Sequence, residues 1–475
     1  MAETAGEGQK VDAPSAPVPP VPPSASGAAE AGGASATRVT RGQEAPRSAR
    51  IQLATAAANA VNGVSRRLGL GSGTVAGGRV ALVLDPKLVG DLARSRQVAV
   101  VSGTNGKTTT TALLAAALAA GGRSVVTNAT GANMPAGHAA ALAEAARAGN
   151  SGGPAVLEVD EGYLPSALSQ LAPVAVVLLN LSRDQLDRTN EVRMTAARWR
   201  AALVEAASVG SPRVVANCDD PLVAWAAGAV QDVTWVAAGS RWLSDAAGCP
   251  SCSGRLVFAG EGWSCSCGFS RPAPDVEVVE RGGGTRELAR AGASPESISL
   301  AIPGRFNLAN AAMAAVAADV MGVPTAEALE AMAHVREVAG RFAVKTIGGV
   351  AVRLLLAKNP AGWAELLDLV RGDRRPIVVG INARVADGRD PSWLWDVAFE
   401  ELRGREVVAT GDRRWDLSVR LRYAEVSHHT VPDQRAALRT ARDLLVAPDS
   451  GDPASGDGPL DFIGNYTAFG DLWRP

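Results

Sequence analysis

Residues 98–111 read VAVVSGTNGKTTTT, and the fold follows from how that stretch must lie. Val98 to Val101 form an unbroken apolar run, the pattern of a strand covered on both faces. The run breaks at Gly103-Thr104-Asn105-Gly106, and TTTTALLAAALAAGG after it reads as a helix. Glycines let a backbone curl until several N–H groups face one anion, and the helix N-terminus behind them adds its partial positive charge. Lys107 supplies a point charge for β- and γ-phosphates, and the Thr108 hydroxyl is placed for Mg2+. The loop is shorter than the general G-x-x-x-x-G-K-[ST] pattern, yet it keeps the GK[ST] end and the strand–loop–helix setting. Gly103, Thr104, Asn105, Gly106, Lys107, Thr108 and Thr109 are therefore the expected nucleotide-binding residues.

Outward from the loop, short apolar runs alternate with helical stretches. SVVTN (124–128), AVLEVD (155–160), VAVVLLN (174–180) and RVVAN (213–217) read as strands, and VRMTAARWRAALVEAA (192–207) as a helix between them. Such alternation predicts parallel βαβ units with both sheet faces covered. Another helix begins at PTAEALEAMAHV (324–335), and a second alternation runs through VRLLLA (352–357), RPIVVGIN (375–382) and EVVATG (406–411). The expected organisation is a disordered Pro/Ala-rich tail over 1–46, a central α/β domain over 47–325 and a smaller α/β domain over 326–475.

Composition narrows the function classes. The 475 residues carry 47 Lys+Arg against 48 Asp+Glu, a net charge of -1, which argues against a general nucleic-acid binder. No apolar run approaches the roughly 20 residues needed to span a membrane. The N-terminus, MAETAGEGQKVDAP, has neither the basic nor the apolar region of a secretory signal. Four of the 5 cysteines fall within 249–267. Cys249-Pro-Ser-Cys252 is a knuckle-like turn, and Cys265-Ser-Cys267 follows after 12 intervening residues. Four thiolates make a tetrahedral set for Zn2+ in a closed, structural site. The second half is C-x-C where ribbons normally have C-x-x-C, a departure that stands to distort the site. Cys218 lies apart, with no histidine near it in sequence, and reads as a packed apolar group.

The set of motifs resembles the Mur ligase superfamily. GTNGKTTT is similar to that family's ATP loop, and Glu158 in VLEVDE to its Mg2+-binding glutamate. LLNLSRDQLDR (178–188) resembles the N-x-x-x-DHLD segment, with Asn180, Asp184 and Asp187 matching and Gln185 in place of the metal-binding histidine. VANCDDP (215–221) matches the N-x-DDP turn, and GRFNLANAAMAAVA (304–317) the segment whose asparagines, here Asn307 and Asn310, approach the nucleotide. GRF at 340–342 resembles the start of the last domain. The resemblance implies an α/β fold: a Mur-ligase-like central ATPase domain with an inserted four-cysteine zinc ribbon at about 245–273, then the smaller α/β domain.

The ribbon, DQLDR with its glutamine, NARVADGRDPSWLWDVAFE (382–400) and the terminal NYTAF all resemble the MurT branch. The roughly 50 residues between tail and loop are too few for the nucleotide-sugar domain of other branches. What the branch implies is amidation of the D-glutamate α-carboxyl of the lipid II stem peptide to D-isoglutamine. It implies ATP, Mg2+ and Zn2+, an acyl phosphate, and ammonia from a GatD-type glutaminase partner. It also implies a cytoplasmic enzyme working at the inner membrane face through its lipid-linked substrate. Catalytic roles fall by resemblance on Lys107 and Glu158. The aspartate that completes the partner's Cys–His pair falls on Asp390, Asp387 or Asp396, each of which also reads as a loop cap. The stretch after DQLDR has no lysine for carbamylation, so a second Mg2+ is not expected.

Minor candidates are Thr127, Asn128 and His138, in a loop region facing the substrate in the family. His428 and His429 read as surface residues, and the Trp393/Trp395 pair as core or partner contact. Two other function classes stay open on the sequence alone. One is a stand-alone amino-acid ligase resembling folylpolyglutamate synthetase, and the other a nucleotide-binding scaffold without catalysis.

Overall fold

The structure is a computed structural model describing residues 44–67, 74–128, 132–183, 191–210, 212–239, 244–260, 262–281, 285–338, 340–446 and 458–473. The chain divides into two compact units, 1–45 and 46–475, and the two sheets and the cleft belong to the second. Nearly all of the predicted tail lies outside the described residues, as do Asp184, Gln185 and Asp187.

Two helices, α1 (Glu44–Arg67) and α2 (Thr74–Leu84), and the short α3 (Leu88–Ala93) precede β1 (Val98–Ser102). After β1 come α4 (Lys107–Ala119), β2 (Val126–Thr127), α5 (Pro135–Arg147) and β3 (Ala155–Val159). Then follow α6 (Leu164–Leu171), β4 (Ala175–Leu178), α7 (Val192–Gly210), β5 (Arg213–Asn217), α8 (Pro221–Ala227) and β6 (Val233–Ala237). A small antiparallel ribbon, β7 (Val257–Ala259) and β8 (Gly262–Ser264), is inserted before β9 (Val276–Glu280), β10 (Arg286–Arg290) and β11 (Glu296–Ser297).

Nine strands form the first sheet, in the order β11-β10-β9-β6-β5-β4-β1-β3-β2. It is parallel from β2 through to β9, and β10 and β11 close the far edge antiparallel. Strand alternation explains why both faces are covered. Val98 and Val100 point into one cluster with residues of α1, α2, α5 and α6 such as Ala54, Ala81, Leu142 and Leu164. Ala99 and Val101 point into the other, with Leu113, Leu114 and Met313. Each fully buried leucine or valine of this kind contributes about 1.5–3 kcal/mol relative to exposure.

The second cluster also holds α9 (Arg305–Val320) and α10 (Thr325–Ala333). Ala328, Leu329, Met332 and Val338 are part of this core, so α10 packs with the first sheet, whereas the sequence assigns it to the domain after residue 325. The reason is physical: an amphipathic period marks which face of a helix is apolar, not which sheet will cover it.

The second sheet begins at β12 (Phe342–Ile347). It continues with β13 (Val350–Leu356), α11 (Pro360–Leu369), β14 (Ile377–Gly380), β15 (Val407–Thr410), α12 (Arg414–Tyr423) and β16 (His428–Thr430). The last elements are α13 (Gln434–Val446), β17 (Leu460–Gly464) and α14 (Tyr466–Trp473). The order is β12-β13-β17-β14-β15-β16, parallel except for the β12–β13 hairpin. Its two faces again carry separate cores, Ile377 and Val379 on one and Val378 with Phe462 on the other. No helix among the described residues is long and apolar enough to cross a membrane.

Candidate active site

β1 delivers the chain into the loop at the carboxyl end of the first sheet. Gly103 and Gly106 have φ of 147° and 88°, which favour glycine. A Cβ on Gly103 would stand 2.8 Å from the Leu179 Cβ and 3.0 Å from the Asn180 nitrogen. The loop is thus laid directly on the extension of β4. Asn180 clamps it: its Oδ1 accepts from the Asn105 N–H at 2.9 Å and its Nδ2 donates to the Asn105 carbonyl at 3.0 Å. Thr104 N–H donates to the Asn180 carbonyl, and the Thr104 hydroxyl to the Ser182 carbonyl at 3.1 Å.

At the start of α4, Lys107 and Thr108 are buried and each meets a carboxylate. The Lys107 Nζ lies 3.0 Å from the Glu161 Oε2 and also donates to the Gly103 carbonyl. The Thr108 hydroxyl donates to the Glu158 Oε2 at 2.9 Å. Glu158 is 1% exposed, and four neighbours fix it. The Asn133 Nδ2 approaches its Oε1, while Asn128 bonds both its N–H and its carbonyl at 2.8 Å. The His138 Nε2 lies 2.9 Å from the same carbonyl. Burial holds the His138 pKa below its ordinary value, so the ring is neutral and its Nε2–H donates. Hydroxyl and carboxylate oxygens this close suit a hard divalent cation, so Thr108 and Glu158 fit Mg2+.

The loop opens into a cleft whose far wall comes from the second sheet. Lys107, Thr108, Asn307 and Asn310 line one side, and Arg341 and Lys358 the other. Asn307 and Asn310 stand one turn apart on α9, bonded to each other at 3.3 Å. Asp220 supports the cleft floor, accepting from the N–H groups of Leu181, Leu222 and Val223 at 2.8, 2.9 and 3.0 Å. Burial pushes its carboxyl up to about 6. Sequence reasoning missed Glu161, Asn133, Arg341's place in the cleft and Lys358. A signal existed for Glu161, since VLEVDE carries a second glutamate three residues after Glu158.

The four sulfurs of Cys249, Cys252, Cys265 and Cys267 lie within 4.8 Å of one another. The Cys249–Cys267 and Cys252–Cys265 pairs are 3.8 and 3.5 Å apart. Ligands about 2.3 Å from a tetrahedral centre stand about 3.8 Å from each other, so the set fits Zn2+. The short C-x-C half does not keep the sulfurs apart. Gly268, at φ 91°, turns the chain so that the Cys265 N–H donates to the Phe269 carbonyl at 2.8 Å.

The aspartates of the second sheet stand apart from the cleft and differ sharply. Asp387 is buried and accepts from the N–H of Thr467 at 2.8 Å, from its hydroxyl and from the Arg384 N–H. Asp390 is exposed; the Ser392 N–H at 2.9 Å holds its carboxyl below the usual range, hence ionised. Asp396 is half-exposed, 3.6 Å from Arg183. Trp393 is buried and Trp395 exposed. His429 lies 3.4 Å from Glu406 on the outer strand, and the His428 ring packs on its own chain through the Val426 carbonyl. Thr127 ends β2 at the edge of the first sheet, outside the cleft lining. Burial pushes the Cys218 thiol up to about 12, which leaves it inert as a nucleophile.

The sequence and the fold are similar to those of known proteins. Residues 101–241 match the Mur ligase middle domain, and residues 356–469 the MurT ligase C-terminal domain. The lipid II isoglutaminyl synthase (glutamine-hydrolyzing) subunit MurT of Streptococcus pneumoniae is 30% identical, over 74% of this chain and 83% of that one. Its counterpart from Staphylococcus aureus is 28% identical, over 83% of this chain and 92% of that one. The fold is shared with MurF from Acinetobacter baumannii at a TM-score of 0.59 and 15% identity, covering 84% of this chain and 81% of that one. The phosphate loop and its carboxylates lie inside the first match and most of the second sheet inside the second, and by these matches and relatives the chain belongs to the Mur ligase superfamily, within its MurT family.

Proposed function

We propose that the chain is the ATP-dependent ligase subunit of a lipid II isoglutaminyl synthase, which amidates the stem peptide of lipid II during peptidoglycan synthesis. The observation that carries the reading is the pairing of Lys107 and Thr108 with Glu161 and Glu158 at the head of a cleft walled by both sheets. ATP binds with its phosphates on Gly103–Thr109 and its nucleoside toward Asn307 and Asn310. Mg2+ held by Thr108 and Glu158 neutralises phosphate charge when bound. Lys107 places its ammonium on the transferring phosphoryl group, where charge accumulates.

A carboxylate oxygen of D-glutamate attacks the γ-phosphorus and ADP leaves. Ammonia then attacks the acyl carbon, phosphate leaves with the carboxyl oxygen, and a proton passes from nitrogen to solvent. Arg341 and Lys358, on the wall opposite the loop, supply positive charge for the anionic substrate. Zn2+ on the four cysteines is structural.

The subunit naming of the relatives supports a heterodimeric partner, which we take to be a GatD-type glutaminase supplying ammonia. Asp390, exposed and ionised, is the residue we assign to complete the partner's Cys–His pair; Asp387 is committed to Thr467. We place the domain boundary between Val338 and Phe342, and the enzyme at the cytoplasmic membrane face where lipid II is reached.

The test is turnover of ATP by the purified chain with lipid II, offering ammonium or glutamate, with the product followed by mass. Amidation exchanges a hydroxyl for an amino group, whereas an amino-acid ligase adds a whole glutamyl residue. The second product would overturn the proposal.

A further inference from the structure

The cysteine ribbon has no part in the ligation chemistry, yet it is fastened to the cleft at three points. The Trp263 Nε1–H donates to the Cys218 carbonyl at 3.3 Å. The Arg271 Nε–H donates to the Asp219 Oδ1 at 2.6 Å, with both side chains largely buried. At the head of the insertion, Asp245 accepts from the Arg183 N–H at 2.9 Å. The ribbon's own core, with Cys249, Trp263 and Cys265, is continuous with Ala224 of α8.

Two of the fastenings end on the turn 217–220, and the third holds Arg183, two residues after Leu181. Asp219 sits between Asn217 and Asp220, which both line the cleft. Its second oxygen accepts from the Gly239 N–H at 2.5 Å, and Gly239 also lines the cleft. The Asn217 Nδ2 donates to the Leu179 carbonyl at 3.0 Å, and Asp220 holds the Leu181 N–H. Between Leu179 and Leu181 stands Asn180, the residue that clamps the phosphate loop through Asn105. With the Asp219 N–H donating to the Asn217 Oδ1 at 2.9 Å, hydrogen bonds and adjoining peptide units together connect the ribbon to the phosphate cradle.

We infer that Arg271 is a positioning residue for the nucleotide site, acting through Asp219, and that holding it in place is the work of the metal-bound ribbon. This rests on reading the cleft as the nucleotide site. The guanidinium gives the Asp219 carboxylate both a charge and a directional bond, and a lysine ammonium keeps the charge alone. Loss of the pair leaves the Asp219 turn without its outer support, and the Asn217–Leu179 and Asp220–Leu181 bonds lose their register.

The experiment measures Mg-ADP affinity of the full chain by calorimetry, with zinc content and Tm recorded for each variant. R271M should bind about tenfold more weakly at unchanged zinc content, and the R271M/D219N double no more weakly than R271M alone, the signature of one shared interaction. R271K, which keeps the charge, should recover part of the affinity. In turnover, KM for ATP should rise in R271M while kcat is held. R271M within twofold of the parent chain would overturn the inference, as would R271K no better than R271M. A parent chain that binds no Mg-ADP would bring down the reading of the cleft itself, a result distinct from either.

Discussion

The ammonium of Lys107 stands 3.0 Å from the Glu161 carboxylate, in a pair more than nine-tenths buried on the lysine side. Such pairs are costly to break from one side, because the remaining charge keeps its desolvation penalty. K107M should lose amidation by at least about a hundredfold, since the phosphoryl group loses its cation. It should also melt earlier. Adding E161Q should restore much of the Tm without restoring activity. A K107M chain as stable as the parent would show that the pair contributes nothing to folding.

Asp387 and Asp390 lie three residues apart and are expected to fail in opposite ways. D387N leaves the buried side chain one acceptor oxygen for the Thr467 hydroxyl and N–H where the carboxylate has two, and should cost roughly 1–3 kcal/mol by denaturant melts. D390N can still accept from Ser392 and should stay within about 0.5 kcal/mol of the parent. In complex with the proposed glutaminase partner, D390N should lose glutamine-dependent amidation yet keep amidation with added ammonium. Intact glutamine use by D390N would remove it from the partner's triad.

The ribbon should carry about one zinc ion per chain. C267S should lose the metal, because the Cys249 sulfur then faces no thiolate across 3.8 Å. Metal analysis of the purified protein settles this, and full zinc retention in C267S would mean three sulfurs suffice.

His138 predicts an acid-side instability. Its folded pKa lies below the ordinary value of 6.5, so below that pH the unfolded chain takes up a proton that the folded chain refuses. Stability is therefore lost as pH falls below about 6.5. H138Q keeps a donor toward the Glu158 carbonyl and should flatten that part of the Tm–pH curve, whatever it does to Tm at pH 7.

Much of the site was legible because it is local in sequence. A strand, two glycines with positive φ and GKT lie within a dozen residues, and both carboxylates that meet Lys107 and Thr108 sit in VLEVDE. The cysteines were legible as a set, but their spacing suggested a distorted site; only the turn at Gly268 shows how C-x-C reaches the others. What stayed hidden was long-range. VEVVE and RELAR become the antiparallel edge β9–β10, which short mixed-charge runs do not announce. Nothing around Lys358 or Arg341 says they will face the phosphate loop, since that depends on how the second sheet meets the first. The placement of α10 was lost for the same reason.

The cleft is walled by the phosphate loop on one side and by the end of β13 on the other. Whatever fills it is held by both sheets, so the free energy of filling it is also the free energy of keeping the two halves together. Linkage makes this reciprocal: the factor by which closed halves raise nucleotide affinity is the factor by which the nucleotide favours closed halves, so a distant substitution that loosens them should also weaken its binding. ATP is then a fastener of the reaction chamber as well as a reactant within it.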